Sequence, residues 1–207
     1  MNPQNSERIL VLGASGQIGR LLIPKLIAAG YSVIAGIRDA SKAVEPEQAG
    51  AEIRIADLEG ELGALFEGID IVIFTAGSGS ATGKDKTLTV DLWGAVQAIR
   101  ASENSQVQRF IMVSALKAED PNRGSEALKP YLVAKHTADE ILKQSSLAYS
   151  ILRPGLLTDG EERNDVLAAS EGLNYSGTVS RASVAEFIRQ HIRNTEGNVV
   201  LDLVEPS

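Results

Sequence analysis

Tyr131 and Lys135 are the two residues of this 207-residue chain best suited to moving a proton. They lie four apart in Pro130-Tyr-Leu-Val-Ala-Lys135, so on a helix they share one face. Pro130 is tolerated in a first helical turn, where a backbone N–H has no partner to lose. A free phenol titrates near ~10. An ammonium group beside it favours the phenolate and lowers that value. The pair can therefore give a proton to a carbonyl oxygen while hydride arrives at the carbon. Ser114 ends the run Ile-Met-Val-Ser and brings a hydroxyl that could orient the same oxygen. YxxxK alone is a common pattern. The strand-end serine and a glycine loop far upstream make the set specific.

Hydride needs a carrier, and the start of the chain offers a seat for one. Gly13-Ala-Ser-Gly16-Gln-Ile-Gly19 follows the apolar run Arg8–Leu12 and opens an amphipathic stretch. In that setting Gly13 permits a tight turn, and Gly16 lets the backbone approach a pyrophosphate at the helix N-terminus. Gly19 lets helix and strand pack closely. The spacing is GxxGxxG, not the usual GxGxxG, so the strand-turn-helix context carries the argument.

Arg38 closes the second apolar run, where an acidic residue would bind a ribose 2′-hydroxyl. A guanidinium there suits a 2′-phosphate, which favours NADP(H) over NAD(H). Asp39 leaves the alternative open, either as an acidic ribose ligand or as the cap of the next turn. Asp57, after the third strand, can accept from an adenine amine, cap the following helix, or do both. Thr75-Ala76-Gly77 are small and leave room for ribose and nicotinamide. Ser78-Gly-Ser-Ala-Thr-Gly83-Lys84-Asp85 imitates a P-loop but lacks its first glycine and the hydroxyl after lysine, so it is not read as an NTP site.

The elements that must hold these groups alternate. Apolar runs at 8–12, 31–37, 51–55, 69–75, 109–114 and 148–152 read as strands buried on both faces. Helical candidates lie near 17–29, 40–49, 59–66, 86–102 and 130–145. The expected fold is a doubly wound α/β parallel sheet of the Rossmann type. The tail adds a helix over 182–193, capped by Ser180, and a strand over 197–204. One domain is expected over 1–207, with about 156–207 forming a small substrate-side region.

The chain resembles the short-chain dehydrogenase/reductase superfamily, within it the small atypical and extended branch of NAD(P)-binding, sugar-epimerase-like or NmrA-like proteins. The resemblance is carried by VLGASGQIGR, AGIRDASKA, IADLEG, DIVIFTAGSG, VDLWGAVQAI, RFIMVSAL, PYLVAKHTADEIL, ILRPG and VSRASVAEFI, in order along most of the chain. It implies a catalytic set of Ser114, Tyr131 and Lys135. It also implies cofactor contacts from Gly13, Ser15, Gly16, Gln17, Ile18, Arg38, Asp57, Leu58, Thr75, Ala76, Gly77, Tyr131, Lys135 and Pro154. Two departures stand out. Asp91 occupies VDLWG where many relatives have an asparagine, which puts an asparagine-dependent proton relay in question. The short tail lacks the larger domain of full-size sugar-nucleotide epimerases.

Composition sets the outer bounds. Lys and Arg total 20 against 27 Asp and Glu, a net charge of −7, which argues against a general nucleic-acid or anionic-membrane binder. With no cysteine there is neither a disulfide framework nor a thiolate site, which suits a reducing cytoplasm. MNPQNSER carries no apolar leader, and no apolar run is long enough to span a membrane. His136 and His191 read as helix-face residues, not metal ligands, and no metal is expected. Trp93 and Phe187 read as core or interface groups, and Glu161–Asp165 as an exposed charge run. The expected activity is NADP(H)-dependent oxidation or reduction of a small carbonyl or alcohol. The alternatives are a non-catalytic NADP(H)-binding redox sensor and a flavin or quinone reductase.

Overall fold

The computed structural model describes residues 7–79, 83–170, 177–193 and 197–206. Most of the N-terminal MNPQNSER segment, and residues 80–82 of the P-loop look-alike, fall outside that range.

The apolar runs become strands β1 (Arg8–Leu12), β2 (Ser32–Ile37), β3 (Glu52–Ile55), β4 (Ile71–Phe74), β5 (Arg109–Val113) and β6 (Ala148–Pro154). Later come β7 (Leu156–Thr158), β8 (Leu167–Ala169), β9 (Thr178–Ser180) and β10 (Val199–Val204). The main sheet has the order β3-β2-β1-β4-β5-β6-β10-β8. Every pairing in it is parallel except β10 with β8. β7 and β9 form a separate two-stranded sheet. This is the expected doubly wound architecture.

Side chains alternate across the sheet into two apolar layers, because strand residues point to opposite faces in turn. On one face Ile9, Val11, Ile73 and Ile111 meet helix α1 (Gln17–Ala28), through Ile18, Leu22 and Leu26. Val184, Ala185 and Ile188 of α6 (Arg181–His191) close the same layer. On the other face Leu10, Leu12, Phe74 and Phe110 pack beneath α4 (Ala95–Asn104) and α5 (Lys129–Gln144), with Ala98, Ile99, Ala138 and Leu142.

Three details depart from expectation. The helix expected near 40–49 splits into a 3-10 turn at Ala40–Lys42 and a short α2 (Val44–Gln48). The one expected over 59–66 is a single 3-10 turn, Gly63–Phe66. Leu62, Leu65 and Phe66 are buried as a helix face would be, but Gly60 and Gly63 flank too short a stretch to propagate a helix. The helix expected near 86–102 runs as α3 (Lys84–Lys86), a π-helical segment (Thr87–Gly94) and then α4. Trp93 is not a core residue. It is half-exposed, with Arg100 stacked 5.8 Å from its ring centroid.

Candidate active site

Parallel strands put their carboxyl ends on one rim, and the sequence-derived residues gather there. β1 delivers the glycine loop, β2 leads to Arg38, and β3 leads to Asp57 and Leu58. β4 leads to Thr75-Ala76-Gly77, β5 to Ser114, and β6 ends at Pro154.

The glycine loop is shaped as its composition requires. Gly13 has φ +88°, and a Cβ on it would lie 2.6 Å from the Ala76 nitrogen. Gly19 abuts the Gly13 carbonyl too closely for any side chain. Gly16 is different. A Cβ there would meet only the Gly13 oxygen, at 3.1 Å, so this glycine keeps an approach open instead of filling a packing gap. Gly16 N donates to Gly13 O at 2.9 Å and caps α1 with no side chain on its orphan N–H groups. No acidic residue stands in the first turn of α1. A helix N-terminus of this kind offers unmatched donors and a positive dipole end, the seat a pyrophosphate requires. These residues fit a dinucleotide. Ser15 and Gln17 flank that terminus, Ser15 lending its carbonyl to Arg20 Nε at 3.0 Å, while Ile18 is buried beneath it.

Around the rim, Arg38 is exposed, and Asp39 Oδ1 is taken up by Ser41 N at 2.9 Å as a turn cap. Asp57 Oδ1 accepts from Glu59 N at 3.1 Å, an Asx turn and not a helix cap. Leu58 is buried and lends its carbonyl to Gln97 Nε2 at 3.0 Å. Thr75 turns its hydroxyl back to Leu12 O at 3.1 Å, and buried Ala76 touches the Gly13 turn. Pro154 is buried, and its carbonyl receives Leu116 N at 2.9 Å.

Tyr131 and Lys135 are both on α5, and they are not a chance surface pair. Lys135 is 3% exposed, with its Nζ 5.8 Å from the Tyr131 ring centroid. It donates to Val113 O at 3.2 Å and stands 3.5 Å from Asp91 Oδ1. Burial alone would pull this lysine down. Tyr131, Asp91 and Asp139 outweigh that effect and hold its pKa above the usual value, so it stays an ammonium. Asp91 is itself buried, and its Oδ2 accepts Ser78 N at 3.0 Å and Ser78 Oγ at 2.6 Å. The aspartate at the asparagine position thus ties the loop after β4 to the lysine of α5. Ser114 is 3% exposed, and its Oγ makes no hydrogen bond. It approaches the Asp139 carboxylate from β5 without closing a bond.

Sequence reasoning missed two features. Ser78 was read only as a failed P-loop position, although a hydroxyl in a strand-end loop was signal enough to weigh it. The charged group behind Ser114, built on Arg153, was also overlooked. His136 is half-buried, with its Nδ1 2.7 Å from Ala118 O. Among the described residues no cluster of His, Cys, Asp and Glu is arranged to hold a metal ion.

A family model described as NAD(P)H-binding matches residues 13–195. The chain belongs to this NAD(P)H-binding family. It is 44% identical over 204 residues to "Uncharacterized sugar epimerase YhfK" of Bacillus subtilis, covering 96% of this chain and 94% of that one. Among solved structures, "Putative NAD-dependent epimerase/dehydratase" from Bacillus halodurans superposes with a TM-score of 0.94 at 36% identity, over 98% of this chain and 95% of that one. ChuY, titled an anaerobillin reductase from Escherichia coli O157:H7, superposes with a TM-score of 0.81 at 27% identity, over 97% and 98% of the two chains. Membership of the NAD(P)H-binding family makes the chain an oxidoreductase-like binder of a nicotinamide cofactor.

Proposed function

We propose that this protein is an NADP(H)-dependent oxidoreductase acting on a small carbonyl or alcohol. The observation that supports it most is the buried Lys135, held charged beneath Tyr131 on the same rim as the glycine loop. Burying an ammonium is costly unless it is paired, and Asp91 at 3.5 Å with the Val113 carbonyl lets this lysine stay charged beside Tyr131.

Gly13, Ser15, Gly16, Gln17 and Ile18 would hold the diphosphate side of the cofactor. Asp57 and Leu58 would border the adenine, Thr75, Ala76, Gly77 and Pro154 the nicotinamide side, and Lys135 the adjoining ribose. When bound, the cofactor supplies or takes the hydride. Tyr131 moves the accompanying proton at its phenolic oxygen, with the Lys135 ammonium 5.8 Å from its ring, and Ser114 orients the substrate oxygen. Arg38 supports the choice of NADP(H), because Asp39 is committed to its own turn and the guanidinium is exposed at the end of β2. A cytoplasmic setting belongs to the same reading, consistent with a chain free of cysteine.

Measuring NADPH oxidation against small carbonyls, quinones and flavins tests this. Turnover with one class is expected, and Tyr131→Phe should abolish it while leaving NADPH affinity nearly intact. Unchanged turnover in that variant would remove Tyr131 from the mechanism. The second reading, a cofactor-sensing protein, draws support from the tail. There β10 joins the main sheet and α6 packs on α1, so among the described residues these two elements serve the core and not a substrate cover. Tight NADPH binding without oxidation of any class favours that reading.

A further inference from the structure

Behind Ser114, the sheet and α5 enclose a second group of charges, joined to the site above through Asp139, which also faces Lys135. Arg153 of β6 and Asp202 of β10 are register partners, and each is 5% exposed. Asp139 of α5 is fully buried and accepts from Arg153 Nε at 2.9 Å. Glu119, in the loop after β5, brings Oε2 to 3.7 Å from Arg153 Nη1. Two carboxylates therefore meet this guanidinium, and a third, Asp202, stands beside it on the neighbouring strand. The other charges facing the group are accounted for. Lys135, one turn before Asp139 on α5, is matched by Asp91 of the π-helical segment. Arg123 approaches Glu119 only at 4.0 Å and is half-exposed. Glu140 on α5 pairs with Lys143 at 2.7 Å, and His136 is occupied by Ala118 O.

The hydrogen bonding is incomplete in an informative way. Asp139 Oδ1, both Glu119 carboxylate oxygens, Arg153 Nη2 and Ser114 Oγ are all buried and make no hydrogen bond. Acceptors outnumber donors in this group. A proton on one carboxyl supplies the missing donor and also removes net negative charge from a place where charge is expensive. Carboxylates that share one cation in a buried place raise one another's pKa. Burial and the nearby Glu119 push Asp202 up to about 6. Burial likewise raises Asp139, against the pull of Arg153 and Ser114.

We propose that Asp139 and Asp202, both set against Arg153, share a proton and form a proton store whose outlet to the candidate site is the Ser114 hydroxyl. On discharge the carboxyl O–H of Asp139 breaks, Ser114 Oγ takes that proton, and Ser114 passes its own proton to an acceptor oxygen in the site. The store is left as a carboxylate and regains its proton from water. Asp139 and Asp202 are positioning residues in this scheme, acting through Ser114. The outlet rests on the oxidoreductase reading. The store does not.

Carboxyl-carbon NMR titration of the isotopically labelled protein, without cofactor, tests the store, with Asp202→Asn and Glu119→Gln as perturbing variants. Asp139 or Asp202 is expected to titrate above the ordinary carboxylate range, and each substitution should move a remaining midpoint by about half a unit or more, as coupled sites require. Ordinary midpoints that ignore both substitutions would overturn the store, and Glu119→Gln, at a loop position, keeps the test open if Asp202→Asn fails to fold. The outlet is tested by rapid mixing with NADP+ in weakly buffered solution, with a pH indicator following proton release. Release near pH 6 is expected from the wild type, slowed about tenfold or more in Ser114→Ala and absent in Asp202→Asn. Equal release rates in all three overturn the outlet. Failure of NADP+ to bind overturns the outlet together with the cofactor reading, and the NMR result then still decides the store.

Discussion

Lys135 Nζ stands 3.5 Å from Asp91 Oδ1, and both side chains are sealed from solvent, 4% and 1% exposed. Asp91 spends its other oxygen on Ser78, so a single carboxylate joins the loop after β4 to α5. Removing one partner of such a pair leaves a lone buried charge. Asp91→Ala is therefore expected to destabilise the fold by ~3–5 kcal/mol in urea unfolding. Asp91→Asn keeps the shape and an acceptor for Ser78 but loses the charge. It should lower the Lys135 titration midpoint, followed by nitrogen NMR of the ammonium. A midpoint that stays put would show that Asp91 does not hold the lysine charged.

The three glycines of the loop should fail differently. Gly13→Ala meets both a positive φ and the Ala76 backbone. It is expected to cost ~2 kcal/mol or more in thermal or urea unfolding, and Gly19→Ala should do the same. Gly16→Ala has only the Gly13 oxygen nearby and should fold almost normally. Its damage belongs to the cofactor, with an expected loss of roughly tenfold or more in NADPH affinity by calorimetry. A Gly16→Ala protein that binds like the wild type would place the diphosphate elsewhere.

Arg38→Ala separates the two nicotinamide forms. Losing a charge-assisted hydrogen bond to a 2′-phosphate costs ~1.5–3 kcal/mol, so NADPH affinity should fall about ten- to a hundredfold. NADH affinity should hardly change. Equal losses for both forms, or tighter binding of NADH by the wild type, would take Arg38 away from the phosphate.

What could be read in advance follows from how each feature is encoded. β1, β4 and β5 announce themselves as unbroken apolar runs because both of their faces are covered. Tyr131 and Lys135 were legible because one helix sets their separation. The Arg153 group was not, since Glu119, Asp139, Arg153 and Asp202 come from four separate elements and meet only because β10 lies beside β6. Its trace was present all the same: a charged residue inside ILRP and another inside VVLDLV, each interrupting a strand otherwise apolar. β7, β8 and β9 are three residues each, too short for alternation to register.

Glu186 of α6, which also meets Lys25 of α1, keeps its charge to lower pH than an ordinary carboxyl. Arg189 foremost, with Gln190 and Lys25, holds Glu186 down to about 2 against an ordinary 4.5. A depressed carboxyl stabilises the fold above its unfolded pKa and loses that contribution as pH falls through its folded one. Arg189 and Lys25 are about a third and a quarter exposed, so screening limits the gain to ~1 kcal/mol. Glu186→Gln should therefore lose about that much at pH 7 and nothing near pH 2, read from melting curves across pH.

The borders of the large sheet carry a last consequence. A sheet that does not close ends in two rows of free peptide groups, an invitation for a neighbouring molecule to add itself as one more strand. Here β3 is only four residues long and bears the paired charges of Glu52 and Arg54, 2.8 Å apart. β8 is three residues long and runs against its neighbour. Neither border offers enough ladder for lateral growth, so the molecule can carry a broad, strongly apolar sheet at high concentration without polymerising through its edges.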